Sequence, residues 1–273
     1  MNCTNRGKLK FFISLFLLCG LTVYPVFCQE AQEKKKESDE KEIKYSSSTS
    51  FSLLLTSGNK KDFNFSFDTE QNLHFYKNRL NLKGNIIFTQ SNGKKKSGIY
   101  YSHLKYDRKI NSRTYLLGLL RIERNKSAGY NFRFAASAGV GYTLLKKKKV
   151  EIAVEGAVGW SSENDVEKIP GQPTGDENFT EETTVSSSFV SSIYSAKLVY
   201  DITPSARLTQ EEVLFLNMGH LNEYRLNSYS SISASISRYF ALKTSLQINY
   251  DSHPVAGYKN IDLFLLSSLV IKI

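Results

Sequence analysis

Residues 129–160 alternate apolar and polar positions over two arms joined by a basic turn. In the first arm Tyr130, Phe132, Phe134, Ala136, Ala138, Val140, Tyr142 and Leu144 share one parity, and Asn131, Arg133, Ser137 and Thr143 share the other. In the second, Val150, Ile152, Val154, Val158 and Trp160 oppose Glu151 and Glu155. A period of two over such lengths predicts a β-hairpin turning at 146–149. Each arm exceeds the strand of about 5–6 residues usual in soluble proteins. Aromatic residues near the arm ends, small residues between them and ionised groups on the other face suit a strand that crosses a bilayer. A hairpin of a large soluble sandwich would share the alternation, with shorter strands and more regular turns.

The rest of the chain repeats the pattern. Further alternating segments occupy 45–56, a stretch led by Phe63, Phe65 and Phe67, then 79–90, 97–110, 113–123, 183–202, 205–217, 222–237, 239–251 and 259–273, and no amphipathic helix is found. Connections at 146–149, 203–204 and 238–239 are tight. Those at 57–61, 91–96, 125–128, 161–182, 218–221 and 252–258 are mostly longer. Long and short connections on opposite sides are the habit of outer-membrane barrels, whose short turns face the periplasm. The expected fold is all-β: a transmembrane antiparallel up-and-down β-barrel of about twelve strands, one domain spanning 45–273.

The start of the chain has a different composition. Arg6, Lys8 and Lys10 precede an apolar run over 11–23, interrupted by Ser14, Gly20 and Thr22 and followed by Pro25. The run is shorter than the roughly 20 residues of a membrane helix, and residues 1–28 are expected to be a signal peptide cleaved after Cys28. Lipidation of Cys28 is the rival, although Pro25-Val26-Phe27 lacks the small residues usual before a lipidated cysteine. Cys3, Cys19 and Cys28 are the only cysteines, so a cleaved chain holds neither a disulfide framework nor a thiolate metal site. Residues 29–44 are charged, mixed in sign and poor in apolar groups, the composition of a disordered tail.

The leader contains three of the 36 Lys and Arg and none of the 26 Asp and Glu, leaving 33 basic against 26 acidic residues, a formal +7. The basic runs fall in the tail and in connections rather than on one face with stacking aromatics, so nucleic acid is not an expected partner. Outer-membrane lipid, lipopolysaccharide head groups and the barrel-assembly machinery are. The oligomeric state is left open by the sequence.

The polar parity defines the contents of the lumen. It carries both signs, which argues against a strongly ion-selective ring. Arg121, Glu123, Arg133, Glu151 and Glu155 come from three neighbouring segments and alternate in sign. They are expected to pair across the wall and narrow the passage, because a dry unpaired charge is costly. His74, His103, His220 and His253 are scattered without a shared motif, so no catalytic residues, cofactor or enzyme activity are expected. The acidic stretch 163–182 lacks the Asp/Gly periodicity of a calcium loop and is expected to be a mobile surface loop without metal.

Four stretches carry a family resemblance: 55–60 (LTSGNK), 139–142 (GVGY), 155–160 (EGAVGW) and 250–262 (YDSHPVAGYKNID). Their order and spacing over about 50–273 resemble the salt-induced outer-membrane protein family, domain-of-unknown-function family 481. The resemblance implies an outer-membrane β-barrel without an established biochemical activity. The ending Val270-Ile271-Lys272-Ile273 departs from the aromatic residue on which a final barrel strand commonly closes. Two functions remain open at this point: a structural or envelope-stress barrel with a narrow, charge-paired lumen, and a small general or weakly selective porin.

Overall fold

The computed structural model describes residues 43–56, 62–91, 94–125, 128–169, 181–255 and 258–273. The leader 1–28 and nearly all of the tail lie outside them. Twelve strands follow one another: β1 (Lys44–Thr56), β2 (Asp62–Phe75), β3 (Asn78–Ser91), β4 (Lys94–Lys109), β5 (Thr114–Asn125), β6 (Tyr130–Lys146), β7 (Val150–Ile169), β8 (Glu181–Asp201), β9 (Ala206–Asn217), β10 (Tyr224–Ser235), β11 (Phe240–Asp251) and β12 (Ile261–Lys272). Each is antiparallel to its sequence neighbours, and β1 pairs with β12, so the sheet closes into a twelve-stranded up-and-down barrel. The described residues contain no α-helix.

Alternation in the sequence becomes two surfaces. Leu82, Leu104, Leu116, Leu120, Val140, Val158, Leu242, Leu263 and Leu265 stand exposed on the outer wall. Tyr45, Tyr106, Tyr142, Tyr200, Tyr239 and Phe240 ring the end with the tight turns, and Phe63, Tyr100, Phe132, Trp160 and Tyr224 ring the other. An apolar belt between two aromatic girdles is the surface a bilayer requires. The inner wall is polar, with Ser50, Asn81, His103, Asp107, Arg121, Arg133, Ser161, Glu163, Ser231 and Ser245 all buried.

Three boundaries and one facing differ from the sequence expectation. β1 begins at Lys44, so the last residue assigned to the tail is strand. Lys94–Lys96, expected in a turn, open β4. Of the connection expected over 161–182, residues 161–169 and 181–182 are ladder, because β7 and β8 pair as far as Ile169 and Glu181, and 170–180 lie outside the described residues. Residues 161–165 are polar on both faces, as strands may be once they rise above the hydrocarbon, so the alternation that marks a strand is lost there. Tyr130 was expected to face lipid with Phe132. An extra residue between Tyr130 and Phe132 interrupts the pairing with β7 and reverses the parity, placing Tyr130 on the lumen side.

Closure is the shortest of the ladders. Ser48–Phe51 pair with Lys272–Leu269, and Ser47 and Ile273 exchange backbone hydrogen bonds of 3.0 Å beside them. Among the described residues the strands pair no further, whereas β1 and β2 pair from Lys44 to Thr56.

The two surfaces should respond differently to charge. Val154→Arg, on the outer face near the middle of the wall, is expected to cost about 2–4 kcal/mol, and Asn227→Arg, into the lumen, under about 1 kcal/mol. A denaturant titration in lipid vesicles measures both, and equal losses would mean that the faces of β7 or of β10 are exchanged.

Candidate functional site

The lumen gathers nearly all the inward charge into three groups. At the end with the longer connections, Arg225 on β10 donates two hydrogen bonds to Glu163 on β7, at 2.9 and 2.6 Å. Arg133 on β6 faces the same carboxylate, Nε to Oε2, at 3.2 Å, and lies 3.4 Å from Asp165 and 3.7 Å from Asp251 on β11. Both guanidinium groups stack, Arg225 at 4.1 Å over Phe215 and Arg133 at 3.9 Å over Tyr130. The parity reversal beside Phe132 thus supplies the ring on which Arg133 rests. Rigid planar cations with several donors suit such shared pairing.

The second group crosses the centre. β3 and β9 are six strands apart in a ring of twelve, so they face each other across the barrel. Lys83 Nζ on β3 reaches Glu211 Oε2 on β9 at 3.3 Å, and Lys197 stands 3.9 Å from the same oxygen. Beside Lys83, a hydrogen-bonded chain runs along the wall. Tyr101 hydroxyl meets His103 Nδ1 at 2.6 Å, and His103 Nε2 meets Asn81 Oδ1 at 2.8 Å. Asn81 Nδ2 then donates to Glu70 at 3.0 Å and to Asn72 at 2.7 Å. Because Asn81 Oδ1 only accepts, His103 carries its proton on Nε2 and accepts from Tyr101. Arg121 lies 5.4 Å from the Tyr101 ring and pairs with Glu123 at 2.6 Å.

The third group lies toward the tight turns. Glu155 accepts from Lys105, from the Tyr115 hydroxyl at 2.6 Å and from Ser195 at 3.2 Å. Lys105 is also 3.6 Å from Asp107, which Arg79 binds from β3. Gly141 sets this arrangement. A side-chain carbon there would fall 2.1 Å from the Tyr115 ring, so the ring lies flat on β6 and its hydroxyl reaches β7.

The remaining arc of wall has another character. β10, β11 and β1 present Asn227, Ser231, Ser233, Ser235, Gln247, Asn249, Ser46 and Ser48 to a cavity of about 740 Å³, which Lys83, Arg121, Arg133, Glu163, Glu211 and Arg225 also line. Lys243 interrupts them, held at 3.0 Å from Asp68 and 2.9 Å from Ser50. Thr203, Pro204 and Ser205 from a tight turn line the same cavity as Pro254, Lys259 and Asn260 from a connection at the opposite end.

Among the five residues singled out from the sequence, Arg121 and Glu123 pair with each other, while Arg133 and Glu155 join different groups. Glu151 sits at the rim, half exposed and 3.8 Å from Lys146. Glu163 and Asp165, assigned by sequence to a mobile loop, are inward groups on β7 and partners of Arg133. Their parity continues that of Glu151 and Glu155, which was the signal that could have found them. The four histidines lie on separate elements: His74 on β2, His103 on β4, and His220 and His253 in connections.

Known proteins give distant parallels of shape. The translocator domain of the autotransporter NalP from Neisseria meningitidis aligns over 84% of this chain and 86% of its own at 10% identity, with a TM-score of 0.43. The NanC porin aligns over 83% and 97% at 7% identity and 0.43, and the KdgM porin over 84% and 96% at 9% and 0.39. At these values the likeness assigns no activity. No curated protein matches the sequence. The model of the family described as "Protein of unknown function, DUF481" matches residues 49–273, nearly the whole barrel, and the chain belongs to that family.

Proposed function

We propose that this chain is an outer-membrane barrel, exported behind a cleaved leader, whose lumen is a narrow passage for water and small uncharged hydrophilic solutes. The observation that carries this reading is the Lys83–Glu211 pair joining opposite walls, with the cavity along the serine and asparagine arc running beside it. The pair spans the lumen. Paired ions and the cluster of Ala135, Ile193 and Phe215 narrow it beside the pair. Along β10, β11 and β1, hydroxyl and amide groups exchange hydrogen bonds with a passing solute. Cations and anions both meet neutralised walls, so neither is favoured strongly. Among the described residues no inward group is arranged as nucleophile, base and orienting partner.

Two measurements test this. In planar bilayers the wild-type protein should show a small conductance with weak ion preference, and the Lys83→Ala/Glu211→Ala double variant should raise it several-fold. Both partners are removed together because a single deletion leaves a buried charge unpaired. Large wild-type channels unchanged by the double variant would favour a general porin, and silence in both proteins would favour a structural barrel. For location, the protein should sediment with the outer-membrane fraction and mass spectrometry should find Gln29 at its N-terminus. A lipidated Cys28 would defeat the cleavage and leave the barrel untouched.

A further inference from the structure

The ladder between β1 and β12 stops part of the way up the wall, its last pair being Phe51 with Leu269. Continued in the same register, Ser52 to Thr56 would stand opposite Ser268 to Phe264, yet among the described residues none of these pairs forms. Both strands run on past that point, since β2 holds β1 as far as Thr56 and β11 holds β12 as far as Ile261. They therefore diverge, and the wall is open between them toward the longer connections. The opening reaches the aromatic girdle at that end, where Leu55 pairs with Phe63. Ser47 and Ile273 exchange backbone hydrogen bonds, so alternate residues further along, Leu53 and Leu55 on β1 and Ser267 and Leu265 on β12, turn their amide and carbonyl groups into the gap. Irregular backbone at membrane depth is tolerated where it meets a polar cavity rather than hydrocarbon alone.

The edges of the gap are apolar, and the space behind them is not. Leu263 and Leu265 are exposed on the outer wall of β12, and across the gap Leu53 is exposed on β1. Phe264 and Leu266 stand opposite Gln247 and Ser245 of β11, and so take the inner parity. The run Leu263-Phe264-Leu265-Leu266 is thus apolar on both faces, where the alternation elsewhere in the barrel would set polar groups inward. Behind it, Gln247 and Asn249 line the lumen cavity with Asp262 and Lys259, one charge of each sign beside two amides.

We infer that the open part of the seam is a lateral portal for a single-chain amphiphile with an uncharged, hydroxyl-bearing head, the chemistry of a monoacylglycerol. The head lies in the lumen beside Gln247 and Asn249, and the chain passes between β1 and β12 into the bilayer. Hydroxyl groups donate and accept, which suits both the amide side chains and the backbone groups of the open edges. With Asp262 and Lys259 offsetting each other, no net charge selects an ion. The gap tapers to closure at Phe51 and Leu269, so one chain fits between the edges more readily than two. The inference rests on the membrane-spanning fold and is independent of whether solutes cross the lumen from end to end.

The test uses the chain with Cys3, Cys19 and Cys28 replaced by serine, refolded into phosphatidylcholine vesicles with a monoacylglycerol that carries a photoactivatable diazirine beside its head. After irradiation, peptide mass spectrometry should find label on Gln247 and Asn249. Leu53→Cys/Ser267→Cys, partners in the continued register, closes the gap when oxidised to a disulfide and should lower that label about ten-fold, with recovery on reduction. Phe264→Ser/Leu266→Ser, which makes the inner edge polar, should lower it similarly without any disulfide. Leu242, on the outer wall of β11, should stay labelled in every variant, and heat-resistant gel migration reports folding. Label on Gln247 and Asn249 that persists in the oxidised cysteine pair or in the double serine variant would mean entry through the ends of the barrel and would overturn the portal. Label confined to outer-wall residues would do the same. Equal labelling of Gln247 by a fatty acid carrying the same diazirine would overturn the uncharged head.

Discussion

A bilayer supplies no hydrogen-bond partner to a backbone amide or carbonyl, and from that constraint the rest of this structure descends. A sheet placed there must close, since an open edge would leave a row of polar groups in hydrocarbon. Closing it gives every strand two surroundings at once, lipid outside and an enclosed polar space inside. The strict period of two from Phe132 to Thr143 is the imprint of that double environment on the sequence. The same enclosure decides how charges behave. Inward carboxylates and cations of a barrel this small are close to the opposite wall, so several find partners on strands far away in sequence, as Lys83 does with Glu211 and Arg225 with Glu163.

Enclosure also explains why the lumen is uneven. Long charged side chains reach toward the axis and narrow the cavity where they cross it, as Lys83 does. Serines and asparagines of β10, β11 and β1 are too short to do so and leave it open where they stand. The shape of the passage is thus set by side-chain length around the ring as much as by strand number. Gly141 contributes by the same logic in reverse: having no side chain, it lets the Tyr115 ring lie against the wall instead of projecting into the open space.

The fold was readable from the sequence because parity is a local property. Strand count, facing and the alternation of tight and longer connections all follow from residues a few positions apart, and the family stretches have the same origin. The lumen network was readable only in part. Parity identifies Arg121, Glu123, Arg133 and Glu155 as inward groups, yet partnership depends on barrel stagger, which no single strand encodes. That is why Arg133 meets Glu163, Asp165 and Asp251 and none of the carboxylates first matched with it. Tyr130 shows a second limit, since one inserted residue reverses a face without changing composition.

The seam between β1 and β12 has a mechanical meaning. Every other ladder joins strands that are neighbours in sequence and are tied by a connection at one end. The seam joins the two extremities of the barrel and is fastened by the short run from Ser47 to Phe51 against Leu269 to Ile273. Topologically the cylinder is a ribbon held by one clasp. It can be fastened only after the last strand exists, and unfastening it leaves every hairpin intact. Opening the cylinder sideways breaks this ladder alone, and its closure is concentrated in a few residues toward one rim.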